Sequence, residues 1–262
     1  MDQAEELRKM VKEKAFEQPN MYAFLRASGG IGATFLLSNM AVLLATEGKR
    51  VLFVDIGNRF VLPSLLWKES IDVNLGNNFV KDFRPSLNSK FGFVLSRLDD
   101  LSWLLKERGV ETLGFMRDNF DICLLDIPCL LPKDVLFLSF CKNTPYILTT
   151  PHPRALIETY GMIKMLMRNI GLSSFNVVIN GAVDQKEGKE AYLKLKDLLE
   201  SRHDVSMKLS FILEMDPKIL AMERAGESFA LRYKDSSLSL NLKKLYKEWV
   251  REREFKGIHE DE

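Results

Sequence analysis

Short apolar runs alternate with amphipathic stretches along this chain, and the alternation predicts strands and helices in turn. Met21–Leu25 reads as a strand, Ser28-Gly29-Gly30-Ile31-Gly32-Ala33-Thr34 breaks it, and apolar-rich Phe35–Thr46 continues as a helix that Gly48 stops. Val51–Asp55 is an unbroken apolar run ending in a carboxylate, as expected of a strand buried on both faces. Asp121–Asp126 repeats that form, and Phe91–Leu95, Tyr146–Thr149, Asn176–Ile179 and Lys208–Ile212 are further strands. Helices are expected at Asp99–Arg108, from Pro153 to about Asn169, and at Lys186–Ser201, Pro217–Ala225 and Ser237–Arg253. Lys68–Lys90 shows the weakest period, with Gly76-Asn77-Asn78 as a turn.

Strands alternating with helices define the fold class: α/β, a doubly wound and mostly parallel sheet. Ahead of it, Asp2–Glu17 reads as a charged amphipathic helix with Leu7, Met10 and Val11 on one side, closed by Gln18-Pro19-Asn20. The organisation is therefore an N-terminal helix and linker over 1–20 and an α/β domain over 21–262.

Composition narrows the function classes. With 262 residues, 46% hydrophobic and 28% charged, the chain buries a substantial core. A net charge of +1 supplies no global field for nucleic acid or an anionic membrane. Cys123, Cys129 and Cys141 have no framework spacing and read as reduced, buried thiols of a cytoplasmic protein. His152, His203 and His259 pair with no cysteine motif, so a metal cluster is not expected. The charged first residues do not form a secretory leader, and no apolar run reaches the ~18 residues of a membrane span.

The candidate chemistry lies at the carboxyl ends of the strands, where open parallel sheets bind ligands. Successive glycine N–H groups before a helix form an anion cradle, usually for phosphate. The phosphate-loop pattern puts Gly32 and Thr34 in register, but its lysine position holds Ala33. Arg26 is either a stand-in cation or a surface residue at a strand end. Asp55 and Asp126 are either functional carboxylates or caps of the turns that follow. Asn180 is a turn former or a ligand reader.

Together these segments resemble the MinD/ParA class of deviant-Walker ATPases. That class carries Lys-Gly-Gly-x-Gly-Lys-Thr/Ser where this chain has Ser28 to Thr34, so both lysines are replaced. Its switch II run falls on Phe120–Pro128, which makes Asp126 the metal-facing carboxylate. Its switch I aspartates reduce to Asp55, as either the first or the second of the pair, and Asn180 matches its adenine reader. The resemblance implies ATP or ADP with Mg²⁺ as cofactor, held by Gly29, Gly30, Gly32, Thr34 and Asn180, with Thr34 and Asp126 toward the metal. It also implies a homodimer. Loss of both lysines argues against hydrolysis, since charge-assisted bonds are worth roughly 1.5–3 kcal/mol each.

Asp2-Gln3-Ala4-Glu5-Glu6-Leu7-Arg8 is similar to the N-terminal motif of the FlhG family, flagellar number regulators within that class. There the motif implies a helix that docks on the SRP-type GTPase FlhF and stimulates it, with Asp2, Gln3, Leu7 and Arg8 as partner-binding residues. The expected function is thus a regulator of flagellar number and placement that activates a partner GTPase rather than acting as an enzyme. Such a protein is cytoplasmic, reaching the inner membrane through its partner. A working ATP-dependent switch with an unusual loop is the alternative, and a partner-binding scaffold unrelated to flagella is a third.

Two rival readings are weaker. Tyr160 and Lys164 match the Tyr-x-x-x-Lys pair of short-chain dehydrogenases, yet no Asn-Ala-Gly segment accompanies them, and one helical turn accounts for the spacing. In the last helix Leu238, Leu242, Leu245 and Trp249 form an apolar stripe. Glu248, Glu252 and Glu254 offset the nearby lysines and arginines, so the stripe reads as core packing and membrane contact as weak or absent.

Overall fold

The computed structural model describes residues 20–55, 72–74, 91–95, 113–128, 138, 141, 143–219 and 228–259, with side chains given outside 55, 72–74, 91–95 and 252–259. Among the described residues eight strands form one sheet: β1 (Met21–Arg26), β2 (Val51–Asp55), β3 (Asp72–Asn74), β4 (Phe91–Leu95), β5 (Ile122–Ile127), β6 (Tyr146–Thr149), β7 (Ser174–Ala182) and β8 (Ser206–Glu214). Their order is β3-β4-β2-β5-β1-β6-β7-β8. Every pair in the sheet is parallel, where the sequence pattern required only a mostly parallel sheet. The described helices are α1 (Ala33–Thr46), α2 (113–119), α3 (Pro153–Ile170), α4 (Gln185–Glu200), α5 (Phe229–Arg232) and α6 (Ser237–His259).

Burial follows from alternation along each strand. On β1, Met21, Ala23 and Leu25 join the core under α2, α3 and α4, whereas Tyr22 and Phe24 join the core under α1, α5 and α6. A strand in mid-sheet covered by helices on both faces must be apolar throughout, and all of β1 is buried. The apolar stripe of α6 lies in the second core, where Leu238, Leu242, Leu245 and Trp249 are all buried. Trp249 stacks on Tyr22 with ring centroids 3.7 Å apart and donates its indole N–H to the Tyr146 hydroxyl at 2.7 Å. The stripe is core packing, as its spacing suggested.

Other local expectations are met with shifted ends, the largest shift being in the last helix, which runs to His259 rather than Arg253. Gly48, at φ 88°, ends the turn after α1. The strand expected at Asn176–Ile179 runs from Ser174 to Ala182, and Asn180 sits inside it rather than at its end. Gly181 at φ 72° and a register shift between Asn180 and Ala182 explain the difference, because the Asn-Gly turn signal forms a bulge instead. Gly188 lets α4 approach β8, since a β-carbon there would lie 2.3 Å from Ile212 Cγ2. Lys164 lies over the Tyr160 ring at 5.2 Å, the contact expected one helical turn away. Cys123 is buried and Cys141 half-buried, both as free thiols, and burial pushes the Cys141 thiol up to about 12. Cys129, the Asp99–Arg108 helix, residues 220–225 of the helix expected at Pro217–Ala225 and the segment 1–19 lie outside the described residues.

The chain order reverses at β1. Strands β2 to β5 lie on one side of it and β6 to β8 on the other. Such a switch point opens a crevice at the carboxyl end of the central strand, and there β1 passes into the glycine loop.

Candidate functional site

After Arg26 the chain crosses Ala27–Gly32 and enters α1. Gly30 (φ 75°) and Gly32 (φ 80°) both occupy the left-handed region, which glycine adopts without the clash a β-carbon brings. Gly32 caps α1 without a side-chain hydrogen bond, so the first helical N–H groups face the turn. Gly29 and Gly30 are exposed, whereas Ala33, in the lysine place, is only 3% exposed. The loop keeps the shape of an anion cradle and its cation position is packed over.

Beneath the loop lies a charged group inside the core. Arg26 continues the Tyr22–Phe24 side of β1, and Asp126 continues the Ile122–Leu124 side of β5, which faces the same core. Parallel pairing sets Phe24 opposite Asp126 and brings the two charged ends together. Arg26 Nε donates to Asp126 Oδ1 at 3.0 Å, and the Thr34 hydroxyl donates to Asp126 Oδ2 at 2.7 Å. The side chains of Arg26 and Asp126 are 9% and 0% exposed. A surface position for Arg26 is therefore corrected: the arginine is buried and neutralises a buried carboxylate. Burying such a pair costs several kcal/mol per ion in lost hydration, which the pair offsets only through its bonds.

Above the loop a second chain of polar contacts ties it to α3. The Ser28 hydroxyl donates to Glu158, whose other oxygen accepts from Arg154 Nε at 2.8 Å. The Ser28 hydroxyl first, and Arg154 after it, hold the Glu158 carboxyl below its ordinary value. His152 caps α3, accepting the Arg154 N–H at 3.3 Å. A cleft of about 850 Å³ opens here, lined by Ser28, Gly29, His152, Glu158, Met162 and Met165 among others. Ser28, standing where the class has a lysine, is thus fixed to a carboxylate of its own chain.

The Asn180 amide donates to the Ile31 carbonyl at 2.6 Å, so the bulge of β7 turns this residue onto the loop. The structure therefore gathers Gly29, Gly30, Gly32, Thr34, Asp126 and Asn180 around one turn. Asp55 is opposite Asp126 in the β2–β5 register. Its side chain, and the residues Asp2, Gln3, Leu7 and Arg8, lie outside the described set. Among the described residues no group of three metal-ligating side chains converges. Glu158 was not singled out by the sequence, although its spacing of one turn from Arg154 offered a helix-face pair.

Among the described residues the donor set does not fit a magnesium–nucleotide complex. Both Asp126 oxygens are already bonded, a guanidinium lies against one of them, Ala33 supplies no charge and Asn180 is directed at the loop backbone.

No family model matches the chain. Among solved structures it resembles the MinC:MinD cell division protein complex of Aquifex aeolicus, at TM-score 0.63 and 17% identity, over 87% of this chain and 96% of that one. It also resembles a ParA family ATPase of Chlorobium tepidum at TM-score 0.61 and 16% identity, over 87% and 97% of the two chains. The fold is that of the MinD/ParA class of P-loop proteins. The narrower likeness is to the antiactivator FleN of Pseudomonas aeruginosa, 23% identical over 206 residues that cover 73% of this chain and 72% of FleN. FleN is a homologue of FlhG, and the resemblance to FlhG within the MinD/ParA class stands on it. No described helix is long and apolar enough to cross a membrane.

Proposed function

We propose that this chain is an FlhG-like regulator of flagellar number and placement that does not hydrolyse ATP and acts by stimulating an SRP-type GTPase of the FlhF kind. The flagellar part is supported by the likeness to FleN and by the Asp2–Arg8 motif. The non-hydrolysing part is carried by one observation. The Asp126 carboxylate, the metal-facing group of the class, is buried with one oxygen on Arg26 and the other on Thr34.

On this reading Gln3 enters the partner's nucleotide site, Asp2 caps the helix, and Leu7 and Arg8 dock it. A glutamine amide both donates and accepts, so it can orient an attacking water without titrating. The α/β domain serves as scaffold, and a homodimer through the loop face is the assembly proposed. The protein is cytoplasmic and reaches the inner membrane only through its partner.

The test is GTP turnover by an FlhF-type GTPase with and without the full-length chain. Stimulation is expected. Gln3→Ala should abolish it while association persists, and Leu7→Asp should weaken association itself. A full-length chain that binds no such GTPase and changes no turnover overturns the proposal.

The exposed Gly29 and Gly30, with Gly30 in the left-handed region, favour a second reading: an ATP-dependent switch whose cradle still takes an anion. ATP turnover that depends on Asp126 would promote it.

A further inference from the structure

From the Arg26–Asp126–Thr34 group we infer that the Arg26 guanidinium occupies the place of the divalent cation, so that this chain carries a built-in, metal-independent cation beneath its glycine loop. In a phosphate loop of this kind, a carboxylate at the end of the strand beside β1 and the hydroxyl after the glycine turn face the metal. Here the same two groups, Asp126 and Thr34, are joined at 2.7 Å and share a buried cation that the protein supplies from β1.

Three features support this assignment. Arg26 is itself buried, so its charge belongs to the core rather than to solvent. Its position follows from strand parity, because Tyr22, Phe24 and Arg26 alternate onto one face and Ile122, Leu124 and Asp126 onto the same one. The pair is neutral as it stands, and a divalent ion placed against Asp126 would meet the guanidinium at short range in a poorly screened interior. The end of β5 and the start of α1 are therefore fixed to each other without metal or nucleotide. In a metal-dependent switch those two elements would respond to the ligand; here they are already coupled.

The inference deepens the non-hydrolysing part of the proposed function and is separable from it. ATP turnover would be lost for want of lysines at positions 28 and 33 alone, whereas the experiment below reads the cation at Arg26.

Thermal melting of the full-length chain is compared in EDTA and in millimolar Mg²⁺ or Mn²⁺, without nucleotide. The wild-type protein should melt identically in both, and Mn²⁺ should not broaden the Thr34 methyl resonance. Arg26→Ser removes the guanidinium and leaves Asp126 uncompensated. It should melt lower in EDTA and recover in Mn²⁺, with Mn²⁺ binding roughly tenfold tighter or more than in wild type. Recovery should vanish in Arg26→Ser combined with Asp126→Asn. Arg26→Leu with Asp126→Leu removes both charges and should fold with no cation response. A wild-type melting point raised by Mg²⁺ and made insensitive by Asp126→Asn overturns the inference. So does a folded Arg26→Ser protein indifferent to cations. Should Arg26→Ser fail to fold in either buffer, the wild-type manganese experiment decides: broadening at Thr34 refutes the assignment and its absence upholds it.

Discussion

Asn180 and Gly32 are fitted to each other across the switch point of the sheet. The Asn180 Nδ2 that donates to the Ile31 carbonyl lies 2.6 Å from where a β-carbon on residue 32 would stand. Gly32 takes its left-handed conformation without a β-carbon, and the Asn180 amide has room because residue 32 has no side chain.

Gly32→Ala therefore meets two penalties, a left-handed backbone costing roughly 1–3 kcal/mol and a clash with Asn180. Urea unfolding should show the single variant destabilised by more than the backbone cost. Adding Asn180→Ala should return part of the loss, despite removing the bond to Ile31. Strict additivity of the two changes would mean that the side chains do not meet.

The Ser28–Glu158 contact predicts a pH effect of definite sign. Glu158 is held below its ordinary carboxyl value, first by the Ser28 hydroxyl and next by Arg154. A carboxyl depressed in the folded state contributes stability above its unfolded pKa and loses that contribution as pH falls through the folded value. The loop-to-α3 tie should therefore hold at neutral pH and weaken on acidification below the ordinary glutamate range. Carboxyl NMR titration of Ser28→Ala should show the Glu158 midpoint moving up toward that range. An unchanged midpoint would mean that the hydroxyl is not its partner.

Much of this architecture was legible because central parallel strands are apolar on both faces. β1, β2 and β6 announce themselves as unbroken runs, and helix ends carry punctuation such as Pro153 and Gly48. The site was legible as far as it is local: the glycines, Thr34 and the strand-end carboxylates are all in the pattern. What could not be read is pairing. That Arg26 meets Asp126 depends on β5 lying beside β1, a neighbour about a hundred residues away in the chain. A charge at a strand end reads as surface until that register is known. Glu158 was hidden for the same reason, since its contact with Ser28 requires β6 and α3 to return beside the loop.

Trp249 tests the assignment of α6 to the core. It is 2% exposed, stacked on Tyr22 and bonded to the Tyr146 hydroxyl. Trp249→Ala should cost about 3–5 kcal/mol in chemical denaturation, the range for a buried aromatic. Trp249→Phe should cost less, since it keeps an aromatic ring against Tyr22 and loses chiefly the indole N–H bond to Tyr146, about 0.5–1.5 kcal/mol. A near-neutral Trp249→Ala variant would show that the helix is free to leave the domain, as a membrane-binding segment must be.

Ala33→Lys asks whether the cradle is a nucleotide site missing one charge or a closed turn. Restoring the lysine of the class supplies the missing charge, but Ala33 is only 3% exposed and belongs to the α1 core. A lysine there must either thread its stem out to solvent or bury its ammonium in the apolar core that Ala33 shares with Phe24, Leu36 and Leu37. Burying an uncompensated charge costs several kcal/mol, so the variant should melt well below wild type. Millimolar ADP should restore little of that loss, in EDTA or in Mg²⁺. A ligand at 100 times its dissociation constant would add about 2.7 kcal/mol, so real binding would be plain in the melting curve. A variant that melts at the wild-type temperature and rises by that amount with ADP would mean that the loop is open to phosphate and that a lysine is all it lacks.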